Sequence, residues 1–142
     1  MTLDDIKALL PHREPFLFID GVVSIDADTV EAYHDVRADE FFFRGHFPGN
    51  PVFPGVLMVE AIAQSGILVV LNRLGGRNGR ATLFAAIERV RFRRVVRPGE
   101  RLRLFARVVG EKAGVFKIDG RALVGEELAC EAVVTGALRK MA

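Results

Sequence analysis

The residues best suited to chemistry in this 142-residue chain fall in one run, RGHFPGNPVFPGVLMVEAIAQ, from Arg44 to Gln64. His46 stands near its start and Glu60 towards its end, and between them Pro48, Pro51 and Pro54 alternate with Gly49, Gly55 and apolar side chains. Prolines leave such a loop few backbone freedoms to lose, so it can hold an imidazole in one place at little further entropic cost. After Pro54-Gly55 the run turns apolar and reads as a helix, on which Glu60 and Gln64, four residues apart, share a face. A carboxylate among apolar neighbours resists ionisation, and the protonated acid that burial favours can donate a proton near neutral pH. The first turn of the helix leaves the N–H groups of Gly55 and Val56 unpaired at the positive end of the dipole, suited to polarising a carbonyl. Gly55 has no side chain to block that approach. Base, acid and carbonyl anchor can therefore converge, giving general acid–base chemistry on a carbonyl compound. The residue types also admit a plainer use, with His46 an ordinary loop residue, Glu60 paired to an arginine of a later basic strand, and Gln64 at a subunit contact.

The elements that would position these groups follow from hydrophobic period. MTLDDIKALL is a short helix with Thr2 as N-cap and Asp5 at capping-box spacing, without the basic start and long apolar run of a secretory signal. Phe16 to Ile25 and Thr29 to Val36 are β-rich runs separated by Asp26-Ala27-Asp28 and read as a hairpin. Residues 39 to 55 form the Gly/Pro loop, and a helix apolar all round runs from Pro54-Gly55 to about Leu74, where Gly75-Gly76 stops it. Glu60, Gln64, Ser65 and Gly66 interrupt that helix, so it falls short of a membrane span and reads as buried. The second half, 82 to 93, 101 to 110, 114 to 124 and 127 to 138, alternates apolar and polar residues between turns at Pro98-Gly99 and Gly125, as an antiparallel meander does. A long apolar helix needs cover on most sides, and a strongly curved antiparallel sheet around it is the economical arrangement. The expected fold is α+β, one domain over residues 1–142, with the sheet cupping the helix.

Composition narrows the classes of function. The net charge is only +2, and no nucleic-acid motif is present, so nucleic acid is a weak candidate partner; the expected location is cytoplasmic. Cys130 is the only cysteine and reads as a buried structural thiol, and Cys/His pairs at zinc-ligand spacing are absent, so no metal site is expected. His34, in a β-alternating run, reads as a surface or edge-strand residue. Arginines concentrate at Arg89, Arg91, Arg93, Arg94, Arg97, Arg101, Arg103 and Arg107, with Glu100 the one acid among them, a pattern that is either the wet face of a strand or a positive docking face.

The segment GHFPGNPVFPGVLMVEAIAQ, Gly45 to Gln64, closely resembles the active-site segment of the 3-hydroxyacyl-acyl-carrier-protein dehydratases of fatty acid synthesis. LPHREPFLFID (Leu10 to Asp20) resembles that family's opening motif, and FAAIERVRFRRVVRPGERL (Phe84 to Leu102) its strand and turn after the helix, so the similarity runs along nearly the whole chain. The resemblance implies a hot-dog fold, a central helix wrapped by a curved antiparallel sheet, and dimers joined sheet to sheet, with assembly of three dimers into a hexamer also known in the family. It assigns His46 and Glu60 as the catalytic pair, contributed by opposite subunits, with Gly55, Val56, Gln64 and Phe47 contacting the substrate. His46 would take the Cα proton of a 3-hydroxyacyl thioester and Glu60, directly or through a water held with Gln64, would protonate the departing hydroxyl. No cofactor is expected. The resemblance also implies a non-proline cis peptide at His46-Phe47. It turns the basic segment towards an acidic acyl carrier protein, with Arg89, Arg91, Arg93, Arg94 and Arg97 as candidate contacts. His12 and Arg13 would organise the N-terminal loop, and Phe41, Phe42, Phe43 and Phe47 would serve core, dimer contact and acyl tunnel.

The chain departs from the family pattern at Phe53, where methionine is common, at Ala86, a frequent glycine, and at Leu83, where many members carry a tyrosine that gates the acyl tunnel. Glu60, where the dehydratase that also isomerises carries aspartate, favours dehydration alone. Dehydratases of aryl-polyene and polyketide pathways share much of the pattern. A hot-dog thioesterase and a non-catalytic acyl-thioester sensor are the other readings; the first would release free thiol, and the second would bind without turnover.

Overall fold

The computed structural model describes residues 1–141. Thr2 caps helix α1 (Leu3–Leu9) by the expected reciprocal pair, its hydroxyl accepting the Asp5 N–H while the Asp5 carboxylate accepts the Thr2 N–H. A hairpin follows, β1 (Gly21–Ile25) and β2 (Thr29–Asp35), its turn closed by the Asp26 carboxylate accepting the Asp28 and Thr29 N–H groups. The first strand starts later than Phe16, because the Phe18 N–H and the Phe16 carbonyl bond the Gln64 side chain instead of a neighbouring strand.

Helix α2 (Gly55–Arg73) has the expected length, and its buried residues run without a break from Ala61 to Leu71. It is long and apolar enough to cross a membrane, but 72% of that stretch is buried inside the protein, as a core helix is. Strands β3 (Arg80–Phe92), β4 (Arg101–Lys112), β5 (Val115–Val124) and β6 (Glu127–Lys140) complete a six-stranded sheet in the order β1-β2-β4-β5-β6-β3, every pair antiparallel. Leu102, Leu104, Ile118 and Val134 face the helix with Ile62, Leu68 and Leu71, all at most 1% exposed. Small residues let the two layers approach: a Cβ on Gly66 of α2 would collide with Ile118 of β5, and one on Gly120 of β5 with Ile62 of α2.

Two expectations need correction. The last four strands are not one meander: β4, β5 and β6 are, but β3 pairs with β6 at the far edge. Residues 93–100 cross from that edge past the start of α2 to the other side of the sheet, where the Phe53 N–H bonds the Val96 carbonyl and the Val36 N–H the Glu100 carbonyl. A direct hairpin at Pro98-Gly99 would forfeit these contacts and the full burial of Val96. His34 is neither at the surface nor on an edge strand; it lies on β2, between β1 and β4, and is fully buried. Its Nε2 donates to Glu40 Oε1 at 2.8 Å, and its Nδ1 lies 3.0 Å from Asp20 Oδ2, close enough for an ion pair though badly angled for a hydrogen bond. Burial alone would lower the His34 pKa, but the two carboxylates override it and raise it to about 9. Cys130 is buried as expected, and burial pushes its thiol up to about 11, an unreactive state.

Candidate active site

Glu60 lies on α2, and its carboxylate is held from the side. Gln64 Nε2 donates to Glu60 Oε2 at 2.8 Å and to the Phe16 carbonyl at 3.0 Å, while Gln64 Oε1 accepts the Phe18 N–H at 2.9 Å. Both amide hydrogens are therefore spent, and Gln64 is fully buried, so it braces Glu60 from behind rather than lining the pocket or holding a water. The Glu60 side chain is 15% exposed. Burial raises its carboxyl pKa and the Gln64 hydrogen bond partly offsets that, leaving an acid readier than usual to hold its proton. His12 also reaches this carboxyl, with Nε2 3.5 Å from Glu60 Oε2 and a buried Nδ1 without a hydrogen-bond partner among the described residues. Desolvation, and then the charge of Arg13, lower the His12 pKa, which favours a neutral ring beside the acid. Sequence reasoning gave His12 a place only in the N-terminal loop, since nothing local ties residue 12 to residue 60.

His46 occupies the tight turn before α2. Its Nδ1 lies 2.8 Å from the Val52 carbonyl, which can only accept, so Nδ1 carries a proton and the lone pair of the neutral ring is on Nε2. Phe47 stacks on the ring with centroids 4.1 Å apart and planes 24° apart, and the peptide between the two residues is cis, as the family resemblance implied. The turn is closed by paired backbone bonds between Phe47 and Asn50 and by the Val52 N–H donating to the His46 carbonyl. Within one protomer no hydrogen bond or ion pair joins His46 to Glu60 among the described residues; each group is held by separate partners.

Helix α2 starts without a side-chain cap, because its N-cap residue is Pro54. The Pro54 carbonyl takes the Leu57 and Met58 N–H groups, and those of Gly55 and Val56 have no partner among the described residues. They adjoin a cleft of about 530 Å³ lined by Val52, Phe53, Gly55, Val56, Met58 and Phe92 among others. A second, apolar cleft of about 380 Å³, formed by Val56, Val59, Phe84, Ile87, Val90 and Phe92, shares Val56 and Phe92 with the first. Val56 is 70% exposed and Phe47 49%.

The five candidate arginines do not form one free positive face. Arg93 pairs with Glu131 at 2.9 Å, and Arg94 with Glu100 at 2.8 Å and Glu127 at 3.3 Å. Arg97 lays its guanidinium across the exposed His46 loop, donating to Asn50 Oδ1 at 2.8 Å and to the Pro51 carbonyl at 3.1 Å. Only Arg89 and Arg91 have no acidic partner within ion-pair distance among the described residues, and Arg89 sits at a bulge of β3 with φ of 54°. Alternating spacing on a strand could not foretell this, since the neutralising acids come from β6 and from the 98–100 turn.

The FabA-like domain matches residues 10–133. The 3-hydroxyacyl-[acyl-carrier-protein] dehydratase FabZ of Nitratidesulfovibrio vulgaris (strain DP4) is 47% identical over 140 residues, covering 97% of this chain and 91% of that protein. The bifunctional enzyme LpxC/FabZ of Porphyromonas gingivalis is 48% identical over 133 residues; the match covers 93% of this chain and 29% of that longer protein. Among solved structures, the dehydratase heterocomplex ApeI:P from Xenorhabdus doucetiae superposes with a TM-score of 0.79 at 15% identity, covering 95% of this chain and 91% of that one. A mutant of the thioesterase PA1618 from Pseudomonas aeruginosa superposes at 0.72 with 17% identity, covering 98% and 94%. A dehydratase complex and a thioesterase thus share this hot-dog architecture, and the fold alone does not choose the chemistry.

Proposed function

Because the chain belongs to the FabA-like domain family and is of the FabZ type, a hydro-lyase that dehydrates 3-hydroxyacyl-[acyl-carrier-protein] in fatty acid synthesis, we propose that His46 and Glu60 perform that elimination. What supports the assignment is an imidazole whose Nδ1 is held by the Val52 carbonyl, so that in the neutral ring Nε2 is the basic nitrogen, together with a carboxyl whose pKa is raised by burial. His46 Nε2 removes the Cα proton of the thioester, the electron pair forms the Cα–Cβ double bond, and the Cβ–O bond breaks as Glu60 delivers its proton to the departing hydroxyl. Water and the trans-2-enoyl thioester leave together. The N–H groups of Gly55 and Val56 donate to the thioester oxygen and stabilise the enolate-like charge. Gln64 keeps the Glu60 carboxyl in place throughout.

A dimer completes this site. Strand β3 pairs with β6 on one side only, and its Leu83, Phe84, Ile87 and Phe92 are between 44% and 55% exposed, an apolar edge that a second copy would cover. The separate anchoring of His46 and Glu60 in one protomer fits a site in which each comes from a different subunit. Three such dimers would form the hexamer. The carrier protein would approach Arg89 and Arg91, the two of the five candidate arginines without an acidic partner within ion-pair distance among the described residues, and a cytoplasmic site of action suits a substrate borne on a soluble carrier.

The test is turnover of a synthetic 3-hydroxyacyl-carrier-protein, followed by absorbance of the enoyl product and mass loss of water, beside His46→Ala and Glu60→Gln. Each variant should lose about 10²–10⁴-fold in kcat, as removal of a general acid or base does. Mixing the two inactive variants and letting subunits reassort should restore about a quarter of parental activity, since half the dimers are mixed and each holds one intact site. No recovery on mixing would sink the shared site. Release of free thiol in place of water would mark a thioesterase.

A further inference from the structure

Arg97 lies in the crossing segment between β3 and β4, and its backbone is firmly held. Its N–H donates to Glu100 Oε1 at 2.8 Å, Glu100 Oε2 in turn accepts from Arg94, and the Gly99 N–H bonds the Val36 carbonyl of the strand end. From this base Arg97 Nη1 reaches Asn50 Oδ1 and the Pro51 carbonyl. The next peptide along is Val52, whose carbonyl takes the His46 Nδ1 proton, and beyond it the Phe53 N–H bonds the Val96 carbonyl at 2.8 Å. Residues 96 and 97 therefore grip the loop on both sides of the one carbonyl that orients the imidazole. The Asn50 amide oxygen is taken by Arg97, while the Asn50 backbone closes the turn on Phe47.

We propose that Arg97 is a positioning residue for the general base, a splint that holds the 50–52 turn so that the Val52 carbonyl fixes the His46 tautomer and aims Nε2, and not a carrier-protein contact. The inference rests on His46 being the base. Its physical basis is geometric: Nη1, held in the guanidinium plane, donates to two acceptors on consecutive residues, which defines the turn where one would leave it free to rock. Misplacement of a reacting group by about an ångström costs up to ~10²-fold in rate, so a splint on the acceptor of the base acts on kcat.

Arg97→Met keeps the apolar stem and removes charge and donors; Arg97→Lys keeps the charge and a point donor. Both are assayed as folded dimers on the 3-hydroxyacyl-carrier-protein and on the same acyl group carried by N-acetylcysteamine, at low and high salt. Arg97→Met should lower kcat about tenfold on both substrates, with KM for the carrier-protein substrate and its salt dependence unchanged, and Arg97→Lys should recover part of the loss. Asn50→Ala should reproduce the defect, and the double variant Asn50→Ala/Arg97→Met should be no worse than Arg97→Met alone. A defect confined to the carrier-protein substrate, seen in KM and fading at high salt, would overturn the proposal in favour of a docking contact. Unchanged kinetics on both substrates, or a loss of kcat matched by loss of the folded dimer, would overturn it as well. A fully active His46→Ala would instead remove the base assignment itself, and is read first.

Discussion

Burial raises the Glu60 pKa and the Gln64 amide draws it part of the way back, so burial and the amide together set the pH up to which the acid keeps its proton. Replacing Gln64 with leucine removes the lowering influence and should shift the alkaline limb of the kcat/KM profile to higher pH. It should also cost about 1–3 kcal/mol for each backbone group left unpaired at Phe16 and Phe18, measurable by urea unfolding. An alkaline limb that stays in place would mean that Gln64 does not tune the acid. Gly55 meets a different constraint, because a Cβ there would lie 2.9 Å from the Phe92 ring, beside the N–H proposed to hold the thioester oxygen. Gly55→Ala is expected to cut kcat by roughly tenfold or more by disturbing that donor, and Phe92→Leu in the same chain should return part of it. Kinetics of the single and double variants decide this; no rescue would show that the ring contact is not the cause.

At the scale of elements, His34 ties three pieces of backbone together. Asp20 precedes β1, Glu40 precedes the 3-10 turn (Phe41–Arg44) that leads into the His46 loop, and the imidazole on β2 is flanked by both carboxylates. Since its folded-state pKa is about 9 against an ordinary 6.5, the protonated ring is favoured in the folded protein. Its stabilising contribution, roughly 3 kcal/mol at most, is complete below about pH 6.5 and is lost as pH rises through about 9. Urea midpoints of the parent should therefore fall between pH 7 and 9, while those of His34→Gln should start lower and change less over that window. The helix and sheet are joined with equal economy at Gly66 and Gly120. Gly66→Val forces a side chain into Ile118 and is expected to destabilise by about 1–3 kcal/mol, with partial relief from Ile118→Ala; calorimetry would register both.

At the scale of the whole molecule, the proposed dimer is tested at the exposed apolar edge of β3. Ile87→Glu places a charge in the apolar cleft shared by α2 and β3 and should yield monomers by light scattering, with dehydration lost in parallel if each site draws on two subunits as proposed. Active monomers would refute that dependence. Local chemistry announced much of this protein: the Thr2–Asp5 cap, the long apolar helix, the three consecutive strands β4 to β6, and the loop and helix that carry His46 and Glu60 all follow from residue type and from periods of two and 3.6, which act between near neighbours in the chain. What sequence alone left undecided was every relation between distant segments. Strand β3 sits beside β6 and not β4 because residues 93–100 gain more by crossing the start of α2 than by turning back, and this crossing brings Arg97 onto the His46 loop. His34 is buried because Asp20 and Glu40 arrive to offset its desolvation, and His12 meets Glu60 because Gln64 anchors the N-terminal strand lead to the helix. These contacts depend on which surfaces meet once the chain closes, and no local pattern of residues encodes that.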